Sequence, residues 1–472
     1  FVFKSNDSIS LASEIKALKP LNYSSFSPNA DSVSDYLNFG LVDHSDETFF
    51  NEISSFPPAT IAQYDLNSLK QVSCRKYWNP SDFVDLHQSI VGTPTLNSVS
   101  EQFNSLFIDS IKLRLRSDVP LGASLSGGID SSAIVCAINQ YFSKSFSGLT
   151  TFTSIPRESS ISEENWASLV SNHIRSDHKT VRFDPHSNLD KSLTDLLSFQ
   201  DQPFTTTSIL AQKLIMEKAS SCGLKVLLDG QGADEAFCGY RKYIVSNFAR
   251  LARSGHAVSF LSELIHFLLQ GDLSIFDLSD KSRYFRFRPI FKPSIPLCPL
   301  PGHLSSSFSS SILSGDIASL QLLDLTSVSL PSLLRYNDHN SMSCGVEARN
   351  PFLDYRLVEL GLSTPSQLKV FDGQTKAIVR HSLSKILPTP ILRRRNKLGF
   401  AFTKDSIIRA HLSDCIDSVF SNSSFSRQFV HPRHFARLKQ LWLSDCSLPP
   451  GPSALLFRMY MLERWSQLNL FA

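Results

Sequence analysis

Leu121-Gly122-Ala123-Ser124-Leu125-Ser126-Gly127-Gly128-Ile129-Asp130-Ser131-Ser132 decides how this chain is read. An apolar run ends at Leu125, and from Ser132 to Ile138 apolar residues return at helical spacing. Strand, glycine turn and helix therefore follow one another. Two adjacent glycines let the backbone take positive φ and approach a ligand closely. The unsatisfied amides of a helix start point into such a turn, where an anion is stabilised. Ser126, Ser131 and Ser132 add hydroxyl donors, and Asp130 adds a carboxylate of the kind that holds Mg²⁺. The pattern is not G-x-x-x-x-G-K-[ST], so this is a different kind of anion turn.

Working outward, strands are predicted at 121–125, 149–154, 180–183 and 224–228, with helices at 131–141, 163–174 and 208–221. Such alternation predicts an α/β fold, a parallel sheet with helices on both faces. Ligands sit at the carboxyl ends of such strands. A second glycine turn, Asp229-Gly230-Gln231-Gly232-Ala233-Asp234-Glu235, follows the last strand. Ser126 and Asp229 should thus share one crevice. A helix is predicted after Ser98, with Ser98 and Glu101 as a capping box and Phe103, Phe107, Ile111 and Leu113 as its apolar stripe. From about residue 236 the pattern is largely helical, interrupted at Pro289–Pro301. Residues 1–90 read as turn-rich and strand-like, with a corner at Phe56-Pro57-Pro58 and a linker near Val91-Gly92-Thr93-Pro94. Two units are expected, 1–90 and 91–472.

The bulk properties describe a soluble globular chain of 472 residues, 42% hydrophobic and 19% charged. A net charge of +3 is too small to argue for nucleic acid or a membrane surface, neither of which is expected as a partner, and no apolar run is read as reaching transmembrane length. The 8 cysteines are scattered without metal-ligand spacing, as expected of reduced thiols in a cytoplasmic protein. Phe1 stands where an initiator Met would, so a processed or truncated product is expected.

Two further blocks carry polar groups in clusters. One is Asp338-His339-Asn340-Ser341-Met342, followed by Gly345-Val346-Glu347-Ala348-Arg349-Asn350-Pro351-Phe352-Leu353-Asp354; the other is Thr375-Lys376-Ala377-Ile378-Val379-Arg380. The first glycine turn resembles the PP-loop of the ATP pyrophosphatases. The four blocks in this order, from about residue 98 to Trp465, resemble the synthetase domain of the glutamine-dependent asparagine synthetases. Residues 1–90 resemble the tail of that family's glutaminase domain plus linker, through Ala12–Leu18, Tyr36–Gly40, Thr48–Phe50 and Tyr77-Trp78.

The resemblance implies a ligase that adenylates a carboxylate, releases pyrophosphate and transfers ammonia to form an amide, with ATP as substrate and Mg²⁺ as cofactor. Aspartate is the expected acid, and a homodimer is allowed. It implies that Ser126, Gly127, Gly128, Ser131 and Ser132 hold pyrophosphate and that Asp130 and Asp234 ligate Mg²⁺. Leu125, Asp229 and Gly230 would line the nucleotide site, and the end of the second strand near Ser154, where members often have Val, would meet the adenine edge through backbone groups. Lys376 would neutralise charge at the α-phosphate, Arg380 would support it, and Asp338 and Gln231 would serve the acceptor side. The family's N-terminal nucleophile is absent from these residues, so glutaminase activity is not expected of them. Two departures stand out. Gln231 replaces a Glu common in the family, and Gln accepts no proton at neutral pH. His339 stands where many members have Arg. They leave open another carboxylate, on a sugar, a peptide or a molecule that supplies its own amine. A non-catalytic nucleotide-binding remnant is a further alternative. The basic run Arg393-Arg394-Arg395-Asn396-Lys397 precedes Leu398-Gly399-Phe400, as in the family, and is read as structural or phosphate-facing.

Overall fold

The structure is a computed structural model describing residues 1–5, 8–21, 26–86, 94–143, 148–156, 163–184, 188–269, 315–394, 405–444 and 447–470. The stretch Pro289–Pro301, residues 91–93 of the expected linker and the basic run beyond Arg394 lie outside the described residues.

The described strands are β1 (Val2–Lys4), β2 (Ile9–Leu11), β3 (Ile53–Ser54), β4 (Thr60–Tyr64), β5 (Gln71–Lys76), β6 (Leu121–Ser124), β7 (Thr150–Pro156), β8 (Asp177–Phe183), β9 (Val226–Leu228) and β10 (Glu347–Arg349). The last five form one parallel sheet in the order β10-β9-β6-β7-β8. The chain steps outward from β6 to β8, then returns to lay β9 on the free side of β6. Strand order therefore reverses between β6 and β9, the place where such sheets open a crevice. Both glycine turns leave from these two neighbours.

Each face of the sheet is covered, because successive strand residues point to opposite sides. Val226 and Leu228 join a core with Ala123, Ile134, Val135, Ala167 and Val170. Leu227 joins the other, with Phe152, Met216 and Ala219. The helix Leu96–Arg114 adds Val99, Phe103, Phe107 and Ile111 to the first core. Phe103 meets Phe237 edge-on at 4.9 Å, and Phe107 lies 4.8 Å from Phe352. This helix begins earlier than its sequence suggests. Thr95 is the cap, and its side chain and that of Ser98 satisfy each other's backbone amides. Leu113, expected in the stripe, is exposed.

The N-terminal residues are less strand-rich than expected. The helix Ala30–Phe39 is capped by Asn29, which accepts from the amides of Asp31 and Ser32, and ends at Gly40 in the left-handed region. β1 pairs antiparallel with β2 and β3. Phe3, Tyr36, Phe49 and Phe50 share one core with Ile408, Leu438, Tyr460 and Trp465 of the C-terminal helices. Trp465 is fully buried, 5.6 Å from Phe49 and 5.1 Å from Phe50. The described residues of 1–54 and the C-terminal helices therefore close as one lobe around a core that also takes in Leu193, Leu197 and Phe204, while the β4–β5 hairpin stands exposed. Arg335 ties Asp43 to the end of the helix Leu189–Gln200, donating to Asp43 at 2.8 Å and to the Gln200 carbonyl at 2.7 Å.

The stretch Ile317–Met342 is long and apolar enough to cross a membrane, with a mean hydropathy of 1.4 over its best window. No such run was expected from the sequence. A π-helical turn, Asp324–Val328, and a bend at Ser329 divide it. Its second half carries buried Arg335, Asn337, His339 and Asn340. Their hydrogen bonds are made inside the fold.

Candidate active site

Asp229 locks the two glycine turns together. Its Oδ1 accepts from Ser124 Oγ at 2.8 Å and from the Gly230 amide at 2.7 Å. In the first turn the Ser126 amide donates to Ser131 Oγ at 3.2 Å, and the Gly128 amide to Ser126 Oγ at 3.3 Å. Gly127 sits at φ 66°, and a Cβ there would lie 2.4 Å from Trp166 Cβ. Only glycine lets the helix Glu163–Ile174 press against this turn.

Lys376 is brought between the turns from 246 residues away. Its Nζ donates to Asp130 Oδ1 at 2.5 Å and Oδ2 at 2.6 Å, and lies 2.7 Å from Asp234 Oδ1. The residue is 4% exposed, with φ 55°. A left-handed lysine costs of order 1–3 kcal/mol unless its surroundings hold it, a form of strain that clusters at functional sites. Gly239 is what admits it: a Cβ there would fall 1.9 Å from Asp234 Oδ1 and 2.2 Å from Lys376 Cε.

The wall behind Asp234 is a buried polar network. Glu235 accepts from Tyr240 and, at 2.6 Å, from Ser329 Oγ. Burial first, and the Asp234 charge second, hold its carboxyl above the usual range. Asp324, on the π-helical turn, accepts from Lys242 Nζ and the Tyr243 hydroxyl, each at 2.5 Å. The carbonyl of Ala236 accepts from Gln321 at 2.5 Å, and Gln321 in turn accepts from Lys369 at 2.6 Å. Burial pushes Lys369 down to about 8.

A cavity of about 400 Å³ opens between the turns. Leu125, Ser126, Gly128, Asp130, Ser131, Ser154, Asp229, Gly230, Gln231, Asp234, Lys376 and Arg380 line it. Ser154 Oγ, buried at this wall, has no hydrogen-bond partner among the described residues. Gly127 and Ser132 stand behind the lining, Ser132 fully buried in its helix. Asp338 lies elsewhere, on the exposed face of the helix Leu330–Met342 near Glu14. His339 is also outside the lining, with Nδ1 2.8 Å from the Phe199 carbonyl. Burial first, then Arg335, lowers it to about 4, so the ring is neutral at pH 7. Arg380 turns its guanidinium to main-chain carbonyls: Thr375 at 2.9 Å, Arg394 at 3.1 Å, and Leu392.

Sequence reasoning did not single out Gly239, Tyr240, Ser329, Trp166 or Glu163. The adjacent pair Gly239-Tyr240, five residues beyond Asp234, was a signal within reach.

A family model described as Asparagine synthase matches residues 102–467. The chain belongs to the asparagine synthase family. It is 24% identical over 381 residues to asparagine synthetase [glutamine-hydrolyzing] 1 of Bacillus subtilis, covering 77% of this chain and 58% of that protein. Asparagine synthetase [glutamine-hydrolyzing] 3 of the same organism is 25% identical over 413 residues, covering 84% and 62%. Asparagine synthetase B of Escherichia coli is 31% identical over 153 residues, covering 28% and 26%. The chain thus spans less than two thirds of the length of these family relatives.

The donor set suits Mg²⁺. Two carboxylates from facing turns converge on one cation position, and Mg²⁺ takes one or two carboxylates plus substrate phosphates rather than an all-protein cage. Among the described residues no group of three or more His, Cys, Asp or Glu side chains is arranged to ligate a metal.

Proposed function

We propose that the chain is the synthetase part of an ATP-dependent amide-forming ligase. It adenylates a carboxylate, most simply the side chain of aspartate, with release of pyrophosphate, and passes ammonia to the activated carbonyl. The observation that carries this is Lys376 held between Asp130 and Asp234 at two glycine turns of neighbouring parallel strands. A carboxylate does not react with ammonia while its leaving group is oxide; adenylation makes that group AMP. Such transfer depends on positioning and charge neutralisation.

In this reading Ser126, Gly128 and Ser131 receive the phosphates, and Asp130 and Asp234 hold Mg²⁺, which neutralises phosphate charge when bound. Ser154 offers its hydroxyl to the base, Lys376 meets the α-phosphate, and Arg380 holds the Lys376 loop through main-chain carbonyls. Residues 1–90 fit the tail of a glutaminase domain, and the ammonia would come free or from glutamine hydrolysis. Gln231 is neutral at the cavity wall. That favours, as a second reading, a different acid whose amine needs no carboxylate base beside it.

The test is pyrophosphate release with ATP, Mg²⁺ and ammonia across a panel of carboxylic acids. Release with aspartate and asparagine as product supports the first reading. Release only with another acid supports the second. No release with any acid, despite ATP binding, leaves a nucleotide-binding remnant.

A further inference from the structure

Three basic side chains line the cavity among the described residues: Lys376, Arg380 and Arg394. Lys376 is committed to Asp130 and Asp234 at 2.5–2.7 Å, and Arg380 to main-chain carbonyls. Arg394 is placed differently. Its guanidinium stacks over the Trp166 indole, 5.0 Å from the ring centroid. Its Nη1 donates to the carbonyl of Ser126, which opens the first glycine turn, at 3.3 Å. Its Nη2 is 4.0 Å from Glu163 Oε1. The side chain is only 7% exposed.

These contacts have one origin. Trp166 is the residue that presses on Gly127, so the indole that shapes the turn also serves as the platform for the guanidinium. A planar cation stacked on an indole keeps its N–H edge directed in the plane, the geometry that suits a phosphate. The hydrogen bond to Ser126 is long and the Glu163 carboxylate stands 4.0 Å away, so a shorter, charge-assisted bond to an anionic oxygen can replace the first. The Arg394 carbonyl accepts from Arg380, which fixes the base of the side chain to the Lys376 loop.

We infer that Arg394, on its Trp166 platform, is a binding residue for the pyrophosphate portion of the nucleotide. The inference rests on the ATP-dependent reading above and adds a residue to it. Arg394 contacts phosphate in ATP and in the pyrophosphate product. Its stacking keeps it beside the turn whether the site is filled or empty. Trp166 acts through Arg394 and is a positioning residue.

Calorimetric titration of the whole chain with Mg²⁺-pyrophosphate, Mg²⁺-ATP and adenosine tests this. Arg394→Ala should weaken pyrophosphate and ATP by about 10- to 100-fold, the range for a lost hydrogen bond to a charged group. Adenosine, which has no phosphate, should bind within about twofold of the unsubstituted chain. Arg394→Lys should recover only part of the loss, since an ammonium neither stacks nor presents two parallel donors. If Arg394→Ala does not fold, Arg394→Lys decides by the same contrast between pyrophosphate and adenosine. Unchanged pyrophosphate binding in the variant overturns the assignment, and so does an equal loss of pyrophosphate and adenosine. If the unsubstituted chain binds neither ATP nor pyrophosphate, the ATP-dependent reading fails first and this inference falls with it.

Discussion

Lys376, Asp130 and Asp234 make the site a balance of charges that only the folded chain assembles. Removing one partner of a buried ion pair costs about 3–5 kcal/mol, because the other charge stays buried. Lys376→Ala should therefore unfold at a lower temperature in EDTA, and Mg²⁺ should restore more stability to this variant than to the unsubstituted chain. Scanning calorimetry with and without Mg²⁺ reads this difference; an equal Mg²⁺ response would place the metal away from the two carboxylates. In turnover, the same variant should lose about 10²–10³ in kcat, the usual effect of deleting one preorganised contact to developing charge. Gly239→Ala should do comparable damage without touching a functional group. Its Cβ would fall 1.9 Å from Asp234 Oδ1. Loss of pyrophosphate release with an unchanged circular dichroism spectrum would bear this out; full activity would show that the Lys376 channel relaxes. Asp130 stands out by residue type beside its glycine turn, whereas Asp234 and Lys376 are picked out by the family resemblance. Their meeting point was not legible, because it depends on a lysine in a left-handed backbone and on a glycine outside the motifs.

Among elements, the strand–turn–helix units were the most legible. Their apolar runs are bounded by glycine turns, and both turns follow neighbouring strands of the parallel sheet. β10 was not seen, because Glu347-Ala348-Arg349 is a three-residue edge strand with too few positions to show a period. The helix Ala30–Phe39 was hidden in a serine- and asparagine-rich stretch, although Asn29 and Gly40 mark its ends. Arg380 read as a support for Lys376; from the helix Ala377–Ser382 it lines the cavity and donates to main-chain carbonyls, the one at Thr375 among them. The π-helical turn is another such element. Single π-turns inside helices are rare and frequent at functional sites. This one sets Asp324, 0% exposed, against Lys242 and Tyr243, and leads to Ser329 on Glu235. Asp324→Ala should cost about 3–5 kcal/mol, since Lys242 would lose its partner at a largely buried site. Urea unfolding measures it, and a change under 1 kcal/mol would make the turn a passive irregularity.

At the scale of the whole molecule, the lobe made from both chain termini meets the sheet across the helix Leu330–Met342, where His339 is buried and neutral. Its folded value is about 4 against 6.5 for the free ring. The folded state therefore binds fewer protons than the unfolded chain between these values. The stability this group supports is present above pH 6.5 and is lost as pH falls through about 4. Between pH 7 and 5 the loss should be about 2 kcal/mol. His339→Gln should flatten that slope in urea unfolding at the two pH values; an unaltered slope would assign the acid sensitivity to other groups. The shared lobe also bears on how the protein is made. Lys19 and Asn469 touch across 450 positions of sequence. At about 5–20 residues per second, a ribosome needs roughly 20–90 s to cover that interval. Until Trp465 is made, Phe49 and Phe50 lack that ring and, among the described rings, have only Tyr36 and Phe26 beside them, whereas the last strand of the sheet ends at Arg349. The lobe therefore cannot close until the helix Pro450–Asn469 has been made, well after the sheet, and a chaperone that binds exposed aromatic side chains would hold it through that interval.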